Sequence, residues 1–156
     1  MLVRLYALPP EGGVGARLSD AGIRCRRAES YEREGVLQFV RERWPNWVDE
    51  AAAAFAHVPP TMYVAARKGQ VLGFACYNAT RPDYFGPTGV DEGERGAGIG
   101  RALLRLCLDA LAAEGYAYAI IGGVGPASFY EKAVGATVIP GSEPGIYRDM
   151  LGRGSQ

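Results

Sequence analysis

The chain has 156 residues, 48% hydrophobic and 22% charged, enough apolar material for one sizeable core and too little length for two comfortable domains. Seventeen Lys and Arg balance seventeen Asp and Glu, so no broad basic field is offered to a nucleic-acid backbone. No apolar run approaches a membrane span, and the opening MLVRLYALPP lacks the apolar stretch and cleavage site of a secretory leader; this reads as a soluble, cytoplasmic protein with no nucleic-acid or membrane partner. Residues 1–21 show no clear periodicity and read as an N-terminal extension. GIRCRRA (22–28) alternates, with Ile23 and Cys25 on one face and arginines on the other, which predicts a strand. Ser30 offers an N-cap to a helix over YEREGVLQFVRERW (31–44), stopped by Pro45, and a second helix over 48–57 is closed by Pro59 and Pro60.

Three strand-like runs follow, TMYVAAR (61–67), QVLGFACYNAT (70–80) and YFGPTGV (84–90). Lys68-Gly69 joins the first two as a hairpin, whereas Gly86, Pro87 and Gly89 weaken the third and suggest a bulge or an open edge. A glycine-rich loop then opens a helix over 98–114, and YAYAIIGGV (116–124) reads as a buried strand. PASFYEKAVG reads as a short helix with Pro126 in its first turn and Gly135 as its stop. Two short strands, ATVIP (136–140) and GIYRDML (145–151), are expected to finish the chain. Antiparallel strands followed by a β-α-β crossover predict an α/β fold on a mixed sheet with helices on both faces.

Little classical chemistry is available. Cys25, Cys76 and Cys107 are far apart and form no CxxC, so a disulfide framework or zinc site is not expected and each reads as a small buried hydrophobe. His57 is the sole histidine and no GxSxG occurs, which leaves neither a histidine-rich metal site nor a serine triad. No metal is expected. The conspicuous feature is the run from Gly93 to Gly100, four glycines directly before a helix, each costing up to about 1 kcal/mol relative to alanine. No Gly-Lys-Ser/Thr exists for a P-loop. A dinucleotide fingerprint started at Gly96 would need glycine where Arg101 stands. GVGPAS (123–128) ends in Ser128 and has too little chain after it to build a nucleotide domain.

What remains is R-x-x-G-x-G, Arg95-Gly96-Ala97-Gly98-Ile99-Gly100, between a strand and a helix. It resembles the acyl-coenzyme A loop of the GNAT superfamily of N-acyltransferases. The physics agrees: free N–H groups of a first helical turn and the positive end of its dipole bind anions, and missing Cβ atoms let a pyrophosphate approach. Arg95 and Arg101 add charge, with Arg105 one turn on. A second segment, FYEKAVG (129–135), is similar to the family's FYEKxG, with one extra residue before the glycine and Ala136 where a Phe is usual. The resemblance implies acetyl-CoA as cofactor and a mostly antiparallel sheet splayed between the strands flanking the glycine-loop helix. It implies Tyr130 as general acid to the departing thiolate, with Phe129 beside it in the cofactor site. A phenol of ordinary pKa about 10 suits a thiol of about 8.5. It further implies that Thr88, Gly89 and Val90 meet the pantetheine arm, with the Val90 N–H as donor to the thioester carbonyl. Many members carry an asparagine near the start of the short helix, where this chain has Gly122-Gly123-Val124-Gly125-Pro126.

The proton acceptor is less defined. The strand before the loop carries no glutamate, and Glu29, Tyr31, Glu32, Tyr77 and Asp83 come from segments near the expected acceptor cleft, with Glu29 the candidate base. A water relay is an equal alternative. Trp44 and Trp47 flank Pro45 and, with Tyr77, are candidate walls for the acceptor; capping the core is the competing role for the tryptophans. The chain therefore reads as one domain, 1–156. Residues 22–60 lie on the acceptor side, 61–135 form the acyl-CoA core and 136–156 form C-terminal strands and tail. The expected function is N-acetylation of a small-molecule or peptide amine by direct attack in a ternary complex. Alternatives are a non-catalytic CoA-binding module or a hydroxyl acceptor. The resemblance leaves a homodimer open.

Overall fold

The computed structural model describes residues 1–152. In chain order the elements are β1 (Leu2–Arg4), α1 (Val14–Asp20), β2 (Arg24–Arg27), α2 (Arg33–Arg43), α3 (Val48–Ala54), β3 (Met62–Arg67), β4 (Gln70–Tyr77), β5 (Tyr84–Val90), α4 (Ile99–Ala113), β6 (Tyr118–Ile121) and α5 (Ala127–Val134). The strands form one six-stranded sheet in the order β1-β6-β5-β4-β3-β2. Every pairing is antiparallel except β5 with β6. That parallel contact is brief: Tyr84 faces Ile120 and Phe85 faces Ile121. Because β6 then ends while β5 continues to Val90, residues 86–90 have no strand on that side. The sheet forks there.

Two cores hold the sheet. Along β4 the side chains alternate as a pleated strand requires, Ala75 and Tyr77 to one face and Phe74 and Cys76 to the other. The first face receives the apolar stripe of α4, Ile99, Leu103, Cys107 and Leu111, together with Phe85, Ala119, Ile121 and Tyr130. The second receives Val36, Leu37 and Val40 of α2 and Ala51 and Ala54 of α3 against Met62 and Val64. Each fully buried leucine or valine contributes about 1.5–3 kcal/mol. Cys76 and Cys107 are buried and Cys25 is half-buried; burial pushes all three thiols up, as for small hydrophobes. No helix among the described residues is long and apolar enough to cross a membrane.

The two ends of the chain depart from the sequence reading. Residues 1–21 are not an appendage. β1 is an edge strand of the sheet, Leu2 opposite Ile120 and Val3 opposite Ala119, with Val3 wholly buried. Val14 and Leu18 of α1 join the core beneath α4. A three-residue strand is too short to display a period of two. Of the two expected C-terminal strands neither forms: Thr137 makes only an isolated bridge to Leu2, and Gly145–Tyr147 is a single 3₁₀ turn. Pro140 and Pro144 lack the N–H that a ladder needs, and β1 already borders β6. The first long helix begins at Arg33 after a 3₁₀ turn over Ser30–Glu32, and the cap is Glu29 rather than Ser30. The second ends at Ala54, short of residue 57.

Candidate active site

The loop from β5 to α4 is tied down before it reaches the glycines. Arg43, at the end of α2, donates from Nε and Nη2 to Asp91 Oδ2 at 2.9 and 2.6 Å, and Asp91 Oδ1 accepts from the Gly93 N–H at 3.2 Å. The Arg43 guanidinium, then the Gly93 N–H, hold the Asp91 carboxyl below the usual carboxylate range. Arg67 of β3 donates to Glu94. Gly96 and Gly98 then take φ of 90° and 95°, left-handed values that favour glycine, and Gly98 is the N-cap of α4. The first helical bond runs from the Ala102 N–H to the Gly98 carbonyl at 3.0 Å. The N–H groups of Ile99, Gly100 and Arg101 therefore have no carbonyl four residues back within the helix, and they lie at its positive end.

Gly100 is the informative glycine. Its backbone is helical, and a Cβ would sit at ordinary contact distance, 3.7 Å from Val90 Cγ2 and 4.0 Å from Phe129 Cζ. Neither conformation nor packing requires glycine there. Gly98 has an internal reason, since its Cβ would stand 3.0 Å from Val14 Cγ1 of α1. Arg95 is exposed, with Nη1 3.9 Å from Glu92 Oε1. Arg101 is exposed and borders a shallow cleft with Pro10, Glu11, Val14 and Arg105. Arg105 is committed elsewhere: it bonds both Asp109 carboxylate oxygens at 2.8 and 3.0 Å and donates to the Pro9 carbonyl.

The open edge of β5 presents donors. The Asp91 N–H donates to the Leu72 carbonyl on β4 at 2.8 Å. Amides alternate along a strand, so the N–H groups of Val90 and Thr88 point away from β4, into the fork. Gly89 points the other way. The Thr88 hydroxyl turns back and donates to the Phe74 carbonyl at 3.1 Å. Val90 adjoins Gly100, whereas Thr88 is nearer the closed end of the fork. Tyr130 of α5 stands at that closed end, its ring 6.2 Å from that of Phe85 and 5.0 Å from that of Phe129. Burial raises its phenol above the ordinary tyrosine value.

Trp44 and Trp47 lie on the opposite face of the sheet from α4. Their rings stack at 5.6 Å and 20°, and Trp44 also meets Phe74 at 5.7 Å. Trp44 rests on Gly89 so closely that a Cβ there would fall 2.6–2.7 Å from three ring atoms. Tyr77 is not with them: it is buried on the α4 face, where its hydroxyl accepts from Arg27 Nη1 at 2.6 Å. Glu29 is likewise outside the fork, an exposed cap whose carboxylate accepts from the Glu32 N–H. Asp83 immediately precedes β5, and burial raises its carboxyl. One aromatic escaped sequence reasoning. Where a residue-122 side chain would project, the Tyr147 ring is found, Cε2 and Cζ 3.1 and 3.2 Å from the Cβ position, with the hydroxyl closer still. The paired glycines 122–123 were its only trace in the sequence.

A family model described as "Acetyltransferase (GNAT) family" matches residues 25–136. No curated protein sequence matches the chain. Among solved structures, the GCN5-related glucosamine N-acetyltransferase region of a fungal multi-domain GH3 β-N-acetylglucosaminidase is similar at TM-score 0.69 and 16% identity, covering 85% of this chain and 19% of that one. A GCN5-related N-acetyltransferase from Sphaerobacter thermophilus follows at TM-score 0.64 and 18% identity, over 85% and 45%. A GNAT family acetyltransferase from Brucella melitensis, in complex with acetyl-CoA, superposes at TM-score 0.52 and 21% identity, over 70% and 80%. The chain thus spans about a fifth of the first and under half of the second. These likenesses establish the fold, and the match over residues 25–136 establishes the lineage: the chain belongs to the acetyltransferase (GNAT) family of acyl-CoA-dependent N-acetyltransferases.

Proposed function

We propose that this protein moves an acetyl group from acetyl-CoA to an amine by direct attack within a ternary complex. The observation that carries the reading is Gly100, a glycine that the fold does not need, beside three N–H groups at the start of α4. Those N–H groups, with Arg95 and Arg101, would hold the phosphates. The structural neighbour from Brucella melitensis was solved with acetyl-CoA, which supports the same ligand here. When bound, the cofactor supplies an activated thioester. From Val90 back to Gly86 the open edge spans about 13 Å of strand, long enough to receive an extended arm leading from α4 to the fork.

The chain's own groups then divide the work. The Val90 N–H, next to Gly100, suits the arm, and the Thr88 N–H, nearer the fork, suits the thioester carbonyl, so the oxyanion donor shifts by two residues from Val90. The amine nitrogen forms the new C–N bond as the C–S bond breaks; nitrogen loses one proton and sulfur gains one. Tyr130 Oη holds a proton at the fork for the sulfur, and its burial keeps that proton in place. Neither Glu29 nor Tyr77 stands at the fork; the amine's proton passes to water, with Asp83, immediately before β5, the remaining carboxylate near the fork's closed end.

Calorimetric titration with acetyl-CoA, beside NAD and ATP, tests the reading. Micromolar binding of acetyl-CoA alone is expected; absence of acetyl-CoA binding, or equal binding of all three, overturns it.

A further inference from the structure

Helix α2 ends in two neighbouring residues that both reach β5. Its last bond runs from the Trp44 N–H to the Val40 carbonyl at 2.7 Å, and Pro45 then stops it. Arg43 lies over the Phe39 ring at 4.1 Å and donates from Nη1 to the Phe39 carbonyl at 3.4 Å. Its other two nitrogens bind Asp91 Oδ2. Trp44 packs against Phe39 and Phe74 and covers Gly89, with Cζ2, Cζ3 and Cη2 nearest to that glycine. The residues so held, 89 and 91, alternate along the chain with 88 and 90, the two whose N–H groups point into the fork. Val90 turns its side chain toward the α4 core, where Gly100 adjoins it. Little else fixes this edge. Residues 86–90 have no strand on the β6 side, and Gly86 and Gly89 bring no side chain to anchor it.

We infer that Arg43 and Trp44 are positioning residues for the cofactor: by holding residues 89 and 91 they keep the Thr88 and Val90 amides aimed into the fork. This rests on the acetyltransferase reading above. Arg43 acts through Asp91 rather than as a free cation, because three of its nitrogens are already engaged within the protein. The distinction has a sign. Were charge alone at work, removing the Asp91 carboxylate would favour an anionic ligand nearby, whereas removing Arg43 would disfavour it. If the pair acts by holding the strand, both removals weaken binding.

The test is calorimetric titration of the whole chain with acetyl-CoA, for wild type, Arg43→Met, Asp91→Asn and the double variant. Each single change should raise the dissociation constant about tenfold, and the double change no further, because either one breaks the same contact. Trp44→Phe keeps an aromatic ring but gives up the atoms that meet Gly89, and it should also weaken acetyl-CoA about tenfold. Denaturant unfolding identifies any variant that fails to fold. Arg43 and Asp91 are partly exposed, so their cycle decides the matter even if Trp44→Phe does not fold. Three results overturn the inference: Asp91→Asn binding acetyl-CoA as tightly as wild type or more tightly, a double variant whose loss is the product of the single losses, or a folded Trp44→Phe with wild-type affinity. Failure of wild type to bind acetyl-CoA would instead strike the reading beneath it.

Discussion

Two glycines eleven residues apart make opposite demands, and the contrast can be measured. Gly100 occupies helical backbone with room for a methyl group, while Gly89 lies under the Trp44 ring. Gly100→Ala should therefore leave stability unchanged or raise it by up to about 1 kcal/mol, while weakening acetyl-CoA binding at least tenfold. Gly89→Ala should cost about 1–3 kcal/mol by overpacking. Denaturant unfolding and calorimetry on both variants separate a glycine kept for a ligand from one kept for a neighbour. Tyr130→Phe retains the ring contacts with Phe85 and Phe129, so folding and acetyl-CoA affinity should stay near wild type while kcat falls about a hundredfold. Because burial raises the phenol, its proton is lost only as pH climbs beyond the ordinary tyrosine value. The alkaline fall in wild-type kcat should accordingly lie above pH about 10 and be missing from the variant.

At the scale of elements, the loop before α4 is an assembled object rather than a slack turn. Arg43 from α2 and Arg67 from β3 each grip one of its carboxylates, Asp91 and Glu94. Asp91 titrates below the usual range, so the stability it adds is complete above its unfolded pKa and is lost as pH falls through its lower folded value. Thermal unfolding of wild type and Asp91→Asn should thus differ by a constant amount above pH about 5, with the difference shrinking progressively as pH falls below about 4 and vanishing only beneath the lowered folded value. The ties themselves could not be read from sequence, since Arg43 and Asp91 are 48 residues apart. What could be read were elements whose patterns are local and long: α4 as a helix, the β3–β4 hairpin at Lys68-Gly69, and β5, whose glycines and proline announced an open edge. The glycine loop was legible because its donors come from consecutive backbone. The aromatic contacts on the face away from α4 were half legible. Trp44 and Trp47 stand close together in the chain, but Tyr147 meets Gly122 only through the fold, and Tyr77 sat one strand face away from where its neighbours suggested.

For the molecule as a whole, the first twenty residues matter more than their composition suggests. β1 covers the edge of β6, and α1 sets Val14 against Gly98, the N-cap of α4. Val3→Ala, at a wholly buried site in that strand, should cost about 2 kcal/mol, read as a lower denaturant midpoint with unchanged slope. That integration was invisible in sequence because three residues of strand and seven of helix carry too little periodicity to stand out.

The pairing of β1 with β6 also has a temporal consequence. Leu2 must find Ile120, and Thr137 must then find Leu2, across nearly the full length of the chain. Contacts of such separation form slowly, because a large loop must close before they return any stability. During synthesis the first strand emerges long before its partner exists, and the hairpin β3–β4 with α2 and α3 can assemble while it waits. The fork, which needs β6, is among the last features to take shape. On this topology the fork cannot form until β6 has been synthesised, more than thirty residues after Phe85 of β5.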